Sequence, residues 1–140
     1  MSIWKKTIDL HAIQEQGKNT AAESLGIEIT AIGDDYLQGR MPVDARTKQP
    51  FGLLHGGSSV LLAETLGSLG AYYASAPGHH VVGLDINANH LRAATSGWVT
   101  GVARPIHMGR TTHVWQIDIA NEAGKPVCVS RLTMAVLKPD

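Results

Sequence analysis

The sequence predicts an α+β fold, one antiparallel sheet wrapped around a single long central helix. Three observations predict it: two short segments of alternating apolar residues come first, a long apolar helical run follows, and four strand-like segments complete the chain. The 140 residues fit one domain, 1–140, with enough material to bury a core without disulfides or metals. A hydrophobic share of 44% against 17% charged residues sets the chain apart from disordered sequences, because that much apolar surface drives collapse.

The segments Asp9-Leu-His-Ala-Ile-Gln-Glu15 and Thr20-Ala-Ala-Glu-Ser-Leu25 read as short helical pieces, each opened by a residue able to cap. They look like a lid or an edge. Apolar residues alternate from Ile27 to Thr30 and from Tyr36 to Val43, and Gly33-Asp34-Asp35 supplies turn chemistry between them, which predicts a hairpin. Arg46 to Leu54 has no period and contains Pro50 and Gly52, so a loop leads into His55-Gly56-Gly57-Ser58-Ser59 and a helix that runs to about Ala74. That helix carries Leu61, Leu62, Leu66 and Leu69 with Ala63, Gly67 and Gly70. It is apolar nearly all round, which predicts burial on every side and close packing on a sheet. After Pro77-Gly78, the segments Val81–Leu91, Trp98–Ile106, His113–Ala120 and Val127–Leu137 are strand-like, separated by Ser96-Gly97, Met108-Gly109 and Asn121-Glu-Ala-Gly124. No internal repeat interrupts this order.

Charge and cysteine usage narrow the function. Lys+Arg 12 against Asp+Glu 12 gives a formal net charge of +0, so no general attraction draws the chain to nucleic acid or to an anionic membrane, and local basic residues must hold any anionic ligand. A neutral chain also repels its own copies little, which eases self-association. Cys128 is the only cysteine and cannot form an intrachain disulfide, and the N-terminus lacks a secretory apolar region. The most apolar stretch, Ser58 to Tyr73, is broken by Glu64 and small polar positions, too interrupted for a membrane span. The expected setting is the cytoplasm.

Glu64 is the residue that calls for an explanation, because an unpaired charge buried in an apolar helix costs several kcal/mol or must protonate. A helical Glu ordinarily faces solvent or pairs with a distant arginine. Here Ser68 stands four residues on, able to orient a substrate group beside the carboxylate. Upstream, Gly56 and Gly57 leave N–H groups unobstructed at the positive end of the helix dipole, where developing oxyanion charge is stabilised. His55 and Gln49 can donate or accept hydrogen bonds near the same carbonyl or an attacking water. Each signal alone is weak, since an HGG run also serves loop conformation and His55 could simply cap the helix. Together they make a site for acyl chemistry.

The run Met41-Pro-Val-Asp44-Ala-Arg-Thr47-Lys-Gln49-Pro-Phe-Gly52-Leu-Leu-His55-Gly56-Gly57, followed by Leu62-Ala-Glu64-Thr-Leu-Gly67-Ser68, resembles the hotdog-fold acyl-CoA thioesterases. Within them it is most similar to the group that includes the 1,4-dihydroxy-2-naphthoyl-CoA and enterobactin proofreading enzymes. The resemblance continues through Val82-Gly83-Leu-Asp-Ile-Asn87-Ala-Asn89-His90-Leu-Arg92 and Ile106-His-Met-Gly109-Arg110, so it covers nearly the whole chain. It implies hydrolysis of aromatic or medium acyl thioesters of coenzyme A, or of acyl or aryl carrier-protein thioesters. Glu64 would attack the thioester carbon or deprotonate a water that does so, and the two roles stay open. Glu64 and Ser68 would come from one subunit and Gln49, His55 and the Gly56 N–H from its partner, in a homodimer or homotetramer. The resemblance further implies that coenzyme A is bound by Gly83, by His90, Leu91, Arg92 and Ala93, and by His107, Met108, Gly109, Arg110, Thr111 and Thr112. Arg92 and Arg110 would be the phosphate partners, suited by their guanidinium forks.

No metal or redox cofactor is expected, because the seven histidines include no ligand cluster and His79-His80 reads as a polar turn. Cys128 lies mid-strand without an activating neighbour and should be packing. Two rival readings are a hotdog dehydratase, whose histidine loop follows a different pattern, and a non-catalytic acyl-CoA-binding module, which would have no need of Glu64, Gln49 and His55 together.

Overall fold

A computed structural model describes residues 1–140. The elements run α1 (Leu10–Gln16), α2 (Ala21–Ser24), β1 (Glu28–Ile32), β2 (Leu37–Pro42), α3 (Gly56–Ala74), β3 (His80–His90), β4 (Trp98–Met108), β5 (Thr112–Ala120) and β6 (Pro126–Leu137). This is the order the sequence predicts. Asp9 caps α1 by accepting from the Ala12 N–H at 2.9 Å, whereas Thr20 makes no side-chain cap on α2. The six strands form one antiparallel sheet in the order β1-β2-β4-β5-β6-β3, so β3 leaves α3 and crosses to the far edge, where it pairs with β6 alone.

One face of α3 lies on the sheet. Of its buried positions, Ser59, Leu62, Ala63, Leu66, Gly67, Gly70, Ala71 and Ala74 repeat at the three- and four-residue spacing of a helical stripe, and Tyr73 is buried near the helix end. They meet Leu37 and Met41 of β2, Val99 and Ala103 of β4, Trp115, Ile117 and Ile119 of β5, and Leu132 and Met134 of β6, all in one core. Glycines set the closeness of that contact. A Cβ at Gly67 would fall 2.6 Å from Leu132 and one at Gly70 2.6 Å from the Trp115 ring, so any side chain there would push the helix off the sheet.

The opposite face of α3 departs from the expectation of burial all round. Leu61, Glu64, Thr65, Ser68, Leu69 and Tyr72 are only half-buried, because the sheet covers one side of the helix and the lead-in elements α1 and α2 stand off from the other. No helix is long and apolar enough to cross a membrane. Cys128 is fully buried opposite Ile119 of β5, and burial pushes its thiol pKa up, away from the nucleophilic thiolate.

Candidate active site

Glu64 sits in the middle of α3 on its half-buried face, at the flank that passes edge strand β3. Leu61, Thr65, Ser68, Leu69 and Tyr72 share that face, and with Val81 of β3 and the lead-in chain between Ile13 and Ile29 they line a cavity of about 730 Å3. Glu64 makes no hydrogen bond and no ion pair within the chain. Its Oε2 lies 2.7 Å from where a Cβ at Gly83 would stand, so only glycine at that point of β3 leaves the carboxylate its position. Ser68 Oγ reaches no stronger acceptor than Met134 Sδ, at 3.7 Å, and its hydroxyl is almost free to serve a ligand.

A second polar group gathers where α3 begins. His55 is the N-cap: its Nδ1 accepts from the Gly57 N–H at 2.8 Å, which leaves the proton of the neutral ring on Nε2, and its own N–H donates to the Thr47 carbonyl at 2.8 Å. The Gly56 N–H has no acceptor within the chain and belongs to the first turn of the helix, where donors are orphaned and the dipole is positive. His90, at the end of β3, covers Gly56 so closely that a Cβ there would fall 2.8 Å from His90 Nε2. Gln49 Oε1 accepts from the N–H groups of Phe51 at 2.6 Å and Leu53 at 3.3 Å, so the carbonyl end of this amide is spent on the loop and its NH2 remains as the donor. Gln49, Gly56, His90, Leu91, Arg92 and Ala93 all line a cleft of about 420 Å3.

The predicted residues therefore assemble in part. Glu64, Ser68 and Gly83 meet; Gln49, His55, Gly56 and His90 to Ala93 meet; the two groups do not close on each other within one chain. Gly56 and Glu64 are eight residues apart along α3, a rise of about 12 Å. The third group, His107 to Thr112, forms the turn from β4 to β5, closed by the Gly109 N–H on the Thr112 carbonyl at 2.9 Å. His90 pairs with Cys128 at the start of β6 while Thr112 pairs with Ala135 near its end, so Arg92 and Arg110 stand at opposite ends of the sheet within one chain. Arg92 also gives Nη1 to the Pro126 carbonyl at 2.8 Å. Sequence reasoning passes over the cavity wall. Leu61, Thr65, Leu69 and Tyr72 lie at helical spacing around Glu64, and that spacing is the signal that could find them.

A sheet rolled on one helix is the hotdog architecture. The chain belongs to the thioesterase superfamily, whose family model matches residues 51–128. It is a thioester hydrolase. Among its relatives are the 1,4-dihydroxy-2-naphthoyl-CoA hydrolase of Escherichia coli, 52% identical over 96% of this chain and 99% of the relative, and the proofreading thioesterase EntH of Cronobacter turicensis, 50% identical over 96% and 98%. The crystal structure of thioesterase HI1161 from Haemophilus influenzae superposes with a TM-score of 0.95, at 55% identity, covering 97% of this chain and 95% of that one.

Proposed function

We propose that this hydrolase cleaves aromatic or medium-chain acyl thioesters of coenzyme A, with Glu64 as the catalytic carboxylate and the site shared between two copies of the chain. The observation that carries the reading is an unpaired carboxylate facing a mostly apolar cavity large enough for an acyl group. Either Glu64 adds to the thioester carbon, the C–S bond breaks, and water then cleaves the acyl anhydride; or Glu64 takes a proton from water as the hydroxide adds, and that proton ends on the departing thiol. The acyl oxygen takes the Gly56 N–H, a donor of the kind worth ~3 kcal/mol of barrier. The Gln49 NH2 and the His55 Nε2–H orient the carbonyl or the water.

The shared site follows from the edge strand. β3 has one unpaired side, with Val82 45% and Leu84 62% exposed, an edge suited to a second copy. Gly83, beside Glu64, and His90, over Gly56, both belong to this strand. An antiparallel pairing of two β3 strands centred near Ile86 and Asn87 sets Gly83 of one copy opposite His90 of the other, and so brings Glu64 to the partner's Gly56. The same two-fold turns the Arg92 end of one sheet toward the Arg110 end of its partner, so a phosphate site that used both arginines would form in trans.

Carrier-protein thioesters are the second reading, favoured by the relative named as a proofreading thioesterase. A hydrolysis panel of benzoyl, hydroxynaphthoyl and straight-chain acyl groups, each offered on coenzyme A and on a carrier protein, tests both. Faster turnover of aryl-CoA is expected. Faster turnover on the carrier favours the second reading, and binding without turnover would leave a non-catalytic module.

A further inference from the structure

We propose that Phe51 selects the acyl group, its ring closing the partner subunit's Glu64 cavity against a flat, aromatic acyl chain. The inference rests on the reading above, in which the loop of one copy meets Glu64 of another, and adds to it the residue that discriminates between substrates.

Phe51 is the chain's only phenylalanine and, apart from Met1, its most exposed large apolar side chain, at 88%. It belongs neither to the core nor to the apolar residues packed against the core. A floppy surface loop could carry such a ring to no purpose, but this loop is held. The Phe51 N–H donates to Gln49 Oε1 at 2.6 Å, the Gly52 N–H to the Gln49 carbonyl at 3.0 Å, the Gln49 N–H to the Leu53 carbonyl at 2.8 Å, and Lys48 bridges Leu54. Gly52 makes the reversal at φ +85, a conformation other residues rarely adopt. The backbone thus presents the ring two residues from Gln49 and four from His55, on the same rigid arch as the groups that must reach the partner's carboxylate.

What the ring meets there follows from the wall of the cavity. Glu64 has apolar neighbours on its own face, Leu61, Leu69 and Tyr72, with Val81 from β3, and the cavity is partly open to the exterior, the side from which any partner loop would enter. An aromatic ring entering from that side completes an apolar slot. Aromatic rings gain from stacked or edge-on partners beyond the area they bury, whereas a saturated chain gains area alone. Phe51 should therefore weigh most on aromatic acyl groups. It touches the acyl chain rather than the reacting atoms, so its effect should appear in KM more than in kcat.

Phe51→Ala, Phe51→Tyr and the parent are compared on benzoyl-CoA and hexanoyl-CoA, with assembly followed by light scattering. The alanine variant should lose about tenfold in kcat/KM for benzoyl-CoA, mostly in KM, and stay within about threefold for hexanoyl-CoA. The tyrosine variant should keep the parent's preference. A doubly tagged mixed assembly of Phe51→Ala with Glu64→Gln subunits then tests the trans arrangement. One of its sites combines a parental loop with a parental carboxylate only if the two come from different subunits, so the parental benzoyl-to-hexanoyl ratio should return. Equal losses on both substrates, a loss of assembly in Phe51→Ala, or a mixed assembly that keeps the variant's ratio would overturn the proposal. Failure of the underlying reading looks different: the Glu64→Gln homomer would still turn over, or the parent would hydrolyse neither ester.

Discussion

The Glu64 wall and the loop that precedes α3 are both polar intrusions into apolar surroundings, and they are built in opposite ways. At the wall the polar groups are free: Glu64 has no partner, and Ser68 has only a thioether. In the loop almost every polar group is fastened. Gln49 closes its own turn, His55 caps the helix, and the buried Thr47 Oγ1 donates to the Pro42 carbonyl at 2.7 Å while accepting from the Asp44 N–H at 3.1 Å. Asp44 is tied in turn by Arg46, whose guanidinium holds the carboxyl pKa below its ordinary value. Orienting groups are useful when they do not move, and a nucleophile or base is useful when nothing else has claimed its lone pairs. The difference separates a group whose loss should slow the reaction without loosening the fold from groups whose loss should loosen the fold as well.

The largest effect should come from the free side. Glu64→Gln keeps the shape of the side chain and removes the charge, and kcat for benzoyl-CoA should fall at least ~100-fold, the low end for loss of a general base. Since no hydrogen bond or ion pair is broken, the melting temperature should hold or rise. Steady-state kinetics and thermal unfolding on the same preparation check both halves. A variant that keeps its rate within about threefold, or melts well below the parent, would place Glu64 among the fastened groups and erase the distinction.

How much of this contrast is legible in the sequence depends on range. The order of elements is, because strand alternation, the Gly33-Asp34-Asp35 turn and the His55 cap are local signals, and each element stands where its signal does. Glu64 is legible too, as a charge in an apolar helix. The helix's two faces are harder to tell apart, since a face that meets a sheet and a face that lines a cavity are both apolar. The discriminating detail is the glycines, with Gly67 and Gly70 allowing the close approach on the sheet side, where Leu62 and Leu66 also lie, and no glycine of α3 toward the cavity. That Arg92 and Arg110 stand at opposite ends of the sheet is not legible, because the jump of β3 to the far side of β6 is a property of the whole sheet and leaves no mark in any short stretch. That Gln49 spends its carbonyl oxygen on Phe51 and Leu53 is likewise a matter of side-chain orientation, which residue type alone does not disclose.

A smaller effect should come from the fastened side. Thr47 is 1% exposed, and Thr47→Val keeps its volume while stranding the Pro42 carbonyl and the Asp44 N–H, a cost of about 1–3 kcal/mol for unsatisfied buried groups. Urea unfolding should show that loss, and kcat should fall by less than ~10-fold, because the valine still fills the turn beneath Gln49 and His55. If stability is unchanged and the rate collapses, the loop's hydrogen bonds serve the reaction directly, and the contrast with Glu64 disappears.

The smallest expected effect extends the contrast to a fastened group far from the loop. His113 of β5 is 3% exposed, and its Nδ1 accepts from the Trp115 Nε1–H at 3.2 Å, so the neutral ring carries its proton on Nε2. Burial, first of all, and then the positive fields of Lys5, His107 and Lys6 hold its pKa below the ordinary histidine value. A depressed pKa means that the folded chain resists a proton which the unfolded chain accepts. The stability this contributes is complete above the unfolded value, about 6.5, and drains away as pH falls through the folded one. Asp44 and Glu15, lowered by Arg46 and Lys18, lose their contributions only in the more acidic carboxylate range, so the interval from about pH 7 to pH 5 isolates the histidine. Melting temperature should fall across that interval, and His113→Gln, whose amide oxygen can still accept from Trp115, should flatten the slope while leaving kcat nearly unchanged. An unchanged slope in the variant would mean that protonating His113 costs the fold nothing, and that a buried polar group can be fastened here without tying stability to its charge.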